Sequence, residues 1–306
     1  MADYICIDGG TTNTRITLVS GGRVIDADRC NIGSGKGGNN APLKRAVKSR
    51  IEHIIERRGA APKAVIASGM ITSGGGLCEI PHISAPAGLK ELHNAITVKY
   101  FPEICDIPFA FIPGVKTVSE TLENADIMRG EETELIGLDI DISDSLVLLP
   151  GSHSKCIWVS KAGKIEKFHT FLTGEMIYAA SSATILSRTV DLSVAADKEY
   201  LIKGYKYCEK HGINEALFKT RILDMLFSCT PAQRMGFFTG VILYGEISRI
   251  IKFSQKRVII AGKRELKYSM VHLLEHFSQK EFICVSDTAA NNAPALGAVK
   301  IYGYSG

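Results

Sequence analysis

The chain has 306 residues, 45% of them hydrophobic and 22% charged, with 36 Lys and Arg against 32 Asp and Glu. This is the composition of a globular protein with enough apolar residue for a sizeable core, and it excludes a disordered chain, a collagen and a disulfide-dense scaffold. Eight scattered cysteines without a C-x-x-C pair give no zinc or redox motif, and no Lys/Arg-rich run marks a nucleic-acid partner.

The length suits one large domain or two medium ones. Tyr4 to Ile7 is a short apolar run stopped by Asp8-Gly9-Gly10-Thr11-Thr12-Asn13, and Arg15–Val19 and Arg23–Ala27 continue it as a three-strand meander. Asn31 to Asn40 is a Gly/Ser/Asn loop, and residues 42–58 place Val47, Ile51, Ile54 and Ile55 at helical spacing. Ala64–Ala67 is a buried strand running into a glycine-rich loop over 69–76, and Phe109–Ile112 is the next strand. A helix starts at Glu131 or Glu132.

The second half repeats the theme. Leu146–Leu149 ends at Pro150-Gly151-Ser152-His153-Ser154-Lys155, and strands over Cys156–Val159 and Ile165–Phe168 follow. Helices are expected over 174–186 and 237–253, then a strand Val258–Gly262, a helix reaching about Phe277, a strand Phe282–Val285 and a closing helix over 292–302. Each half opens with a strand, a Gly/hydroxyl hairpin and a return strand, then alternates strands with helices. The pattern implies a duplicated α/β unit, hence two lobes with a cleft, divided near residues 125–145 as lobes 1–138 and 139–306.

Three segments can carry chemistry. In the first hairpin, small residues let successive N–H groups approach an anion, Thr11 and Thr12 add hydroxyls, and Asp8 can hold a hydrated Mg²⁺. An ordinary hairpin turn is the competing reading, and the acid, the hydroxyls and Arg15 together tip the balance toward phosphate. The second hairpin has the same look, with His153 equally readable as a structural histidine or a phosphate contact. In Met128-Arg129-Gly130-Glu131-Glu132-Thr133 the acids either complement the helix dipole, the favoured reading of this run alone, or supply a general base beside an anion-binding Arg129.

The two hairpins resemble the phosphate motifs of the sugar kinase/hexokinase/actin superfamily. Several segments together resemble the 2-dehydro-3-deoxygalactonokinase family: Asp8–Arg15; Gly69-Met70 with Ser73, Gly76, Glu79 and Pro81; Met128–Thr133; Pro150–Lys155; Leu172-Thr173-Gly174-Glu175; Gly240 with Gly245-Glu246; and Ala261-Gly262. The resemblance implies a two-lobed actin-like (ribonuclease H-like) ATPase fold with an interlobe cleft. It implies ATP-dependent phosphorylation of the 6-hydroxyl of 2-dehydro-3-deoxy-D-galactonate in galactonate breakdown, ahead of an aldolase step.

On that resemblance Asp8 organises Mg²⁺, and Gly10, Thr11, Thr12 and Asn13 meet the ATP phosphates, as do Gly151, Ser152 and His153 from the second lobe. Ala261 and Gly262 form the adenosine-binding turn. Glu132, slightly favoured, or Glu131 removes the hydroxyl proton. Arg15, Arg129 and Lys155 are candidates for the substrate carboxylate, with Met70, Ser73, Glu79 and Glu175 also on the substrate side.

The chain departs from the pattern at Lys263-Arg264-Glu265, at Cys156 where a Trp is usual, at Leu77 and at His82. Two other readings share the fold: an actin-like ATP-binding sensor, and an exopolyphosphatase-type phosphohydrolase. The expected partners are small molecules, with neither nucleic acid nor membrane, and a homodimer is compatible with the chain. No apolar run approaches the roughly 20 residues that span a bilayer, and no leader-like start is read, so a cytoplasmic protein is expected.

Overall fold

A computed structural model describes residues 2–34, 40–262 and 264–305. Half of the Gly/Ser/Asn loop, residues 35–39, and the departure at Lys263 lie outside the described residues.

The elements run in the order β1 (Asp3–Gly9), β2 (Thr14–Ser20), β3 (Arg23–Cys30), α1 (Ala41–Arg58), β4 (Pro62–Gly69), a 3-10 turn (Met70–Thr72), β5 (Ile83–Ser84), α2 (Leu89–Asn94), β6 (Thr97–Phe101), β7 (Cys105–Phe111), β8 (Val115–Thr117), β9 (Asp126–Met128) and α3 (Glu131–Gly137). There follow β10 (Ser145–Leu149), β11 (Ser154–Val159), β12 (Ile165–Phe171), α4 (Thr173–Ala183), α5 (Lys198–His211), α6 (Ile213–Phe227), α7 (Pro231–Lys252), β13 (Arg257–Ile260), α8 (Arg264–Phe277), β14 (Glu281–Cys284) and α9 (Asp287–Tyr302). The expected strands and helices are present, the closing helix begins five residues earlier than read, and α2, α5, α6, β6 and the short strands β5, β8 and β9 are additions.

The chain divides into two units, one of residues 1–144, 158–168 and 288–306, the other of 145–157 and 169–287. The first therefore takes in α9 and the tip of the β11–β12 hairpin, which a single cut after residue 138 does not describe. The bridge between Ala87 and Ile165 ties that tip to its own unit.

The first unit is built on a six-stranded sheet in the order β3-β2-β1-β4-β7-β6. β1 pairs antiparallel with β2 and parallel with β4, and β4 runs parallel to β7. Ile5, Ile7, Ile16, Leu18, Val65, Phe109 and Phe111 pack from the sheet against Val47, Ile51 and Ile54 of α1. Pro42 in the first turn of α1, and Gly59 in the left-handed conformation just past its end, fix its limits.

The second sheet has the order β12-β11-β10-β13-β14, the same 3-2-1-4-5 sequence as the first five strands of the other sheet. The duplication read from the two hairpins is thus present in strand order. In the second unit α7 is the central helix: Thr230 and Gln233 form a capping box at its start, and Phe238, Val241, Leu243, Ile247 and Ile250 are buried along it. Both hairpins stand at the end of the first strand of their sheet, where α/β folds place ligands.

Candidate active site

In the first unit, Gly10 N–H donates to Asn13 O at 2.8 Å and closes the hairpin turn, leaving Thr11, Thr12 and Asn13 exposed. The segment just after β3 braces it, with Thr14 Oγ1 donating to Ile32 O at 2.8 Å and Ser34 N–H to Gly10 O at 3.1 Å. Gly69 lies beside this turn with φ +78°, and a Cβ there would stand 2.5 Å from Gly9 O. No larger residue fits that approach, which carries the chain into the Met70–Thr72 turn beside Asp8.

Asp8 is the penultimate residue of β1. Burial raises its carboxyl's pKa; Arg15 counters that, the Glu131 charge raises it further, and Arg29 lowers it. Asp8 and the neighbouring Glu131 offer carboxylate oxygens, the donor type that suits a hard cation. Among the described residues no group of three or more His, Cys, Asp or Glu could hold a metal alone. Magnesium does not need one, since it keeps several waters and is bound by one or two carboxylates plus substrate phosphates. Asp8 therefore fits the expected ion.

The acidic pair at the head of α3 separates into two environments. Glu132 is fully buried, and both its carboxylate oxygens accept the Gly130 N–H, at 2.8 and 2.9 Å. Burial and the neighbouring Glu131 charge push its pKa up to about 8, against those backbone bonds and Arg129. Glu131 is partly exposed, accepts the Arg129 N–H at 2.9 Å and acts electrostatically on Asp8. The slight sequence preference for Glu132 as the base meets a carboxyl closed onto its own helix start.

Arg129 is also otherwise occupied. It donates to Thr72 O at 2.7 Å, to Thr72 Oγ1, to Ile80 O at 2.9 Å, and faces His82 Nδ1 at 3.2 Å. Its fork fastens the 70–82 loop, which leaves it poorly placed to grip a substrate carboxylate. In that loop the Ser73 hydroxyl donates to Met70 O at 2.6 Å, and Glu79 lies near enough to Arg129 to favour its charged form. Arg15 donates to Asn291 O of α9 at 2.6 Å, so it too supports the hairpin and helix.

In the second unit, the second hairpin, the start of α4 and the turn after β13 meet. Gly174 presses so closely on the hairpin that a Cβ would stand 2.4 Å from Gly151 O. Gly262 approaches Pro150 from the other side, and Ala261 N–H donates to Leu148 O at 2.9 Å. His153 and Glu175 pair at 2.9 Å. Lys155, offered as a carboxylate ligand, is only 3% exposed and donates to His153 O at 3.2 Å; its ammonium serves the hairpin. The second unit thus brings together Gly151, Ser152, His153, Lys155, Glu175, Ala261 and Gly262, and the first brings together Asp8, Arg15, Met70, Ser73, Glu79, Arg129, Glu131 and Glu132. Behind the second hairpin is a buried acid to which the sequence reading gave no role, Glu246. A lone Glu in the apolar stripe of α7 was its signal.

A strand order repeated in two sheets, each headed by a Gly/hydroxyl hairpin, defines the class: an α/β protein of the actin-like ATPase fold. A solved Sinorhizobium meliloti protein assigned as a 2-dehydro-3-deoxygalactonokinase shares that fold with a TM-score of 0.78 at 23% identity, covering 98% of this chain and all of its own. The ADPNP-bound activator of 2-hydroxyisocaproyl-CoA dehydratase from Clostridium difficile shares it more distantly, with a TM-score of 0.52 at 13% identity over 97% of this chain and 93% of that one.

The chain belongs to the 2-keto-3-deoxy-galactonokinase family, whose pattern matches residues 8–295. A Rhizobium meliloti (strain 1021) protein assigned as a 2-dehydro-3-deoxygalactonokinase is 31% identical over 257 residues, 80% of this chain and 79% of its own. The Escherichia coli (strain K12) 2-dehydro-3-deoxygalactonokinase is 25% identical over 248 residues, 81% and 80% of the two chains. The family is one of sugar kinases, phosphotransferases with an alcohol acceptor, which implies ATP and a sugar substrate. The sensor and phosphohydrolase readings are not favoured. No described helix is long and apolar enough to cross a membrane.

Proposed function

We propose that this protein transfers the γ-phosphoryl group of ATP to the 6-hydroxyl of 2-dehydro-3-deoxy-D-galactonate, as a cytoplasmic enzyme of galactonate catabolism working on small molecules. The observation that carries the reading is the family match over residues 8–295, which includes both hairpins and the acidic start of α3.

Phosphoryl transfer asks for alignment of two oxygens and for donors aimed at developing charge. Gly10, Thr11, Thr12 and Asn13 of the first hairpin and Gly151, Ser152 and His153 of the second serve as phosphate contacts. Ala261 and Gly262 take the adenosine. When bound at Asp8, Mg²⁺ supplies charge neutralisation of the phosphates. Glu131 accepts the proton of the attacking hydroxyl; what supports it over Glu132 is its partial exposure and its electrostatic link to Asp8. Glu132 holds Gly130, and Arg129 holds the 70–82 loop that carries Met70, Ser73 and Glu79 toward the sugar acid. The hydroxyl oxygen bonds to phosphorus, the bond to ADP breaks, and the proton rests on the Glu131 carboxylate before passing to solvent.

The test is ADP release with Mg·ATP and 2-dehydro-3-deoxy-D-galactonate, beside the gluconate epimer and a blank without sugar. Turnover confined to the galactonate derivative supports the reading. ATP binding without sugar-dependent turnover, or phosphate release in the blank, overturns it. Light scattering on the same sample tests the homodimer.

A further inference from the structure

Glu246 stands on α7, 2% exposed, beneath the second hairpin. Its Oε2 accepts the hydroxyl of Thr173, the first residue of α4, at 2.5 Å. The fully buried Ser154 hydroxyl lies close enough to stabilise its charged form, while Oε1 has no partner within hydrogen-bond geometry. Ser154 Oγ in turn accepts the Gly151 N–H at 3.4 Å. One carboxyl therefore sits where α7, the start of α4 and the base of the hairpin converge.

The next residue after Thr173 makes this arrangement mechanically direct. Gly174 rests on Gly151 O and Ser152 Cα, so that a Cβ would stand 2.4 and 2.8 Å from them, and Glu175 N–H donates to Ser152 O at 3.2 Å. A shift of Thr173 cannot be absorbed between the two segments, because close-packed backbone transmits displacement. A carboxyl buried with an unpartnered oxygen costs stability, and apolar residues of similar volume would pack such a position at less cost. Its contribution then lies in the orientation it imposes.

We infer that Glu246 is a positioning residue for nucleotide phosphate: through the Thr173 and Ser154 hydroxyls it holds the Gly151–His153 segment in the shape that receives ATP. The inference rests on the proposed ATP-dependent kinase reading, but not on the identity of the sugar. It separates Glu246 from the substrate-side residues, all of which on that reading belong to the sugar acid, and it predicts a defect confined to the nucleotide.

The test uses the full-length protein with Mg·ATP, comparing Glu246→Ala, Glu246→Gln and Thr173→Val with the wild type. Calorimetric ATP affinity without sugar, both KM values and the melting temperature are measured. Glu246→Ala should weaken ATP binding by about tenfold or more, equivalent to about 1.4 kcal/mol, and leave the sugar KM within about twofold. Glu246→Gln, which still accepts the Thr173 hydroxyl, should recover most of the affinity. Thr173→Val, close to isosteric, should shift ATP affinity in the same direction, and it decides the matter should Glu246→Ala fail to fold.

Unchanged ATP affinity in a folded Glu246→Ala or in Thr173→Val overturns the inference. So does an equal loss for ATP and sugar accompanied by a lowered melting temperature, the pattern of a merely structural residue. Wild-type ATP binding without sugar-dependent turnover would sink the kinase reading while the ATP affinities of the variants still judged Glu246. A wild-type protein that bound no ATP would overturn both.

Discussion

Glu132 turns both carboxylate oxygens onto the backbone amide of Gly130, at 2.8 and 2.9 Å, and in doing so leaves the protein surface altogether. Its neighbour Glu131 stays partly exposed and acts on Asp8. Two adjacent acids thus have two tasks, one holding the head of α3 and the other facing the chemistry. Glu131→Gln should lower kcat by about 10²–10⁴ with ATP affinity nearly unchanged, the range for losing a general base. Glu132→Gln, which keeps an acceptor for Gly130, should cost far less. A reversed order in steady-state kinetics would return the base to Glu132.

The same burial predicts a pH-dependent stability. The Glu132 pKa is about 8 in the folded chain against an ordinary 4.5, so between those values the folded state keeps a proton that the unfolded state has lost. Stability therefore falls as pH rises through this window, is unaffected by Glu132 below it, and levels off above it. Glu132→Gln removes the ionisation. Its melting temperature relative to wild type should rise steadily from pH 5 to pH 8, and a difference that stays flat in differential scanning calorimetry would contradict the assignment.

Asp8→Asn keeps the shape of the side chain and removes its charge. Turnover should then require far more Mg²⁺ for half-saturation, with a lower maximum, because a neutral amide is a poor ligand for a hard cation. A magnesium titration indistinguishable from wild type would exclude Asp8 as a ligand.

Arg129→Lys tests the loop fastening. A lysine cannot reproduce a planar fork that serves Thr72, Ile80 and His82 together. The variant should lose about 1–3 kcal/mol of stability by denaturant titration, since buried acceptors lose their donor. It should raise the sugar-acid KM more than the ATP KM. An arginine that gripped substrate directly would instead leave stability near wild type.

Much of the architecture was legible because short apolar runs stop at glycine-rich turns. Ile5-Cys6-Ile7 before Asp8 and Leu146–Leu149 before Pro150 mark the first strand of each sheet, and the meanders follow from them. α5 and α6 were missed for a physical reason. The buried face of α5 is Leu201, Gly204, Tyr205 and Cys208, a mixture of small and aromatic residues in which aliphatic periodicity is weak. The Asp197 side chain, accepting Tyr200 N–H at 2.9 Å, was the available start signal. Strands β5, β8 and β9 have only two or three residues and exist through their pairing.

The site was legible as a set of segments, less so as a set of roles. Arg129, Lys155 and Arg15 carry the charge a carboxylate ligand needs, yet each donates to backbone carbonyls nearby in space and distant or unmarked in sequence. Nothing local distinguishes Glu131 from Glu132, because burial decides between them. Glu246 was marked by the Gly245-Glu246 segment and as a carboxyl out of place among Val241, Leu243, Ile247 and Ile250, yet neither signal gave it a role.

Helix α9 belongs to the first unit, with Asn291 O taking Arg15 and Ala295 O taking the Cys6 thiol at 3.4 Å. The strands it contacts are made first during translation, while the helix follows the whole of residues 169–287. The amino-terminal sheet must therefore wait, its β1–β2 hairpin lacking a neighbour, until the second unit has been synthesised. Folding in this order exposes an incomplete intermediate for the time needed to add those residues, several seconds or more at about 5–20 residues per second.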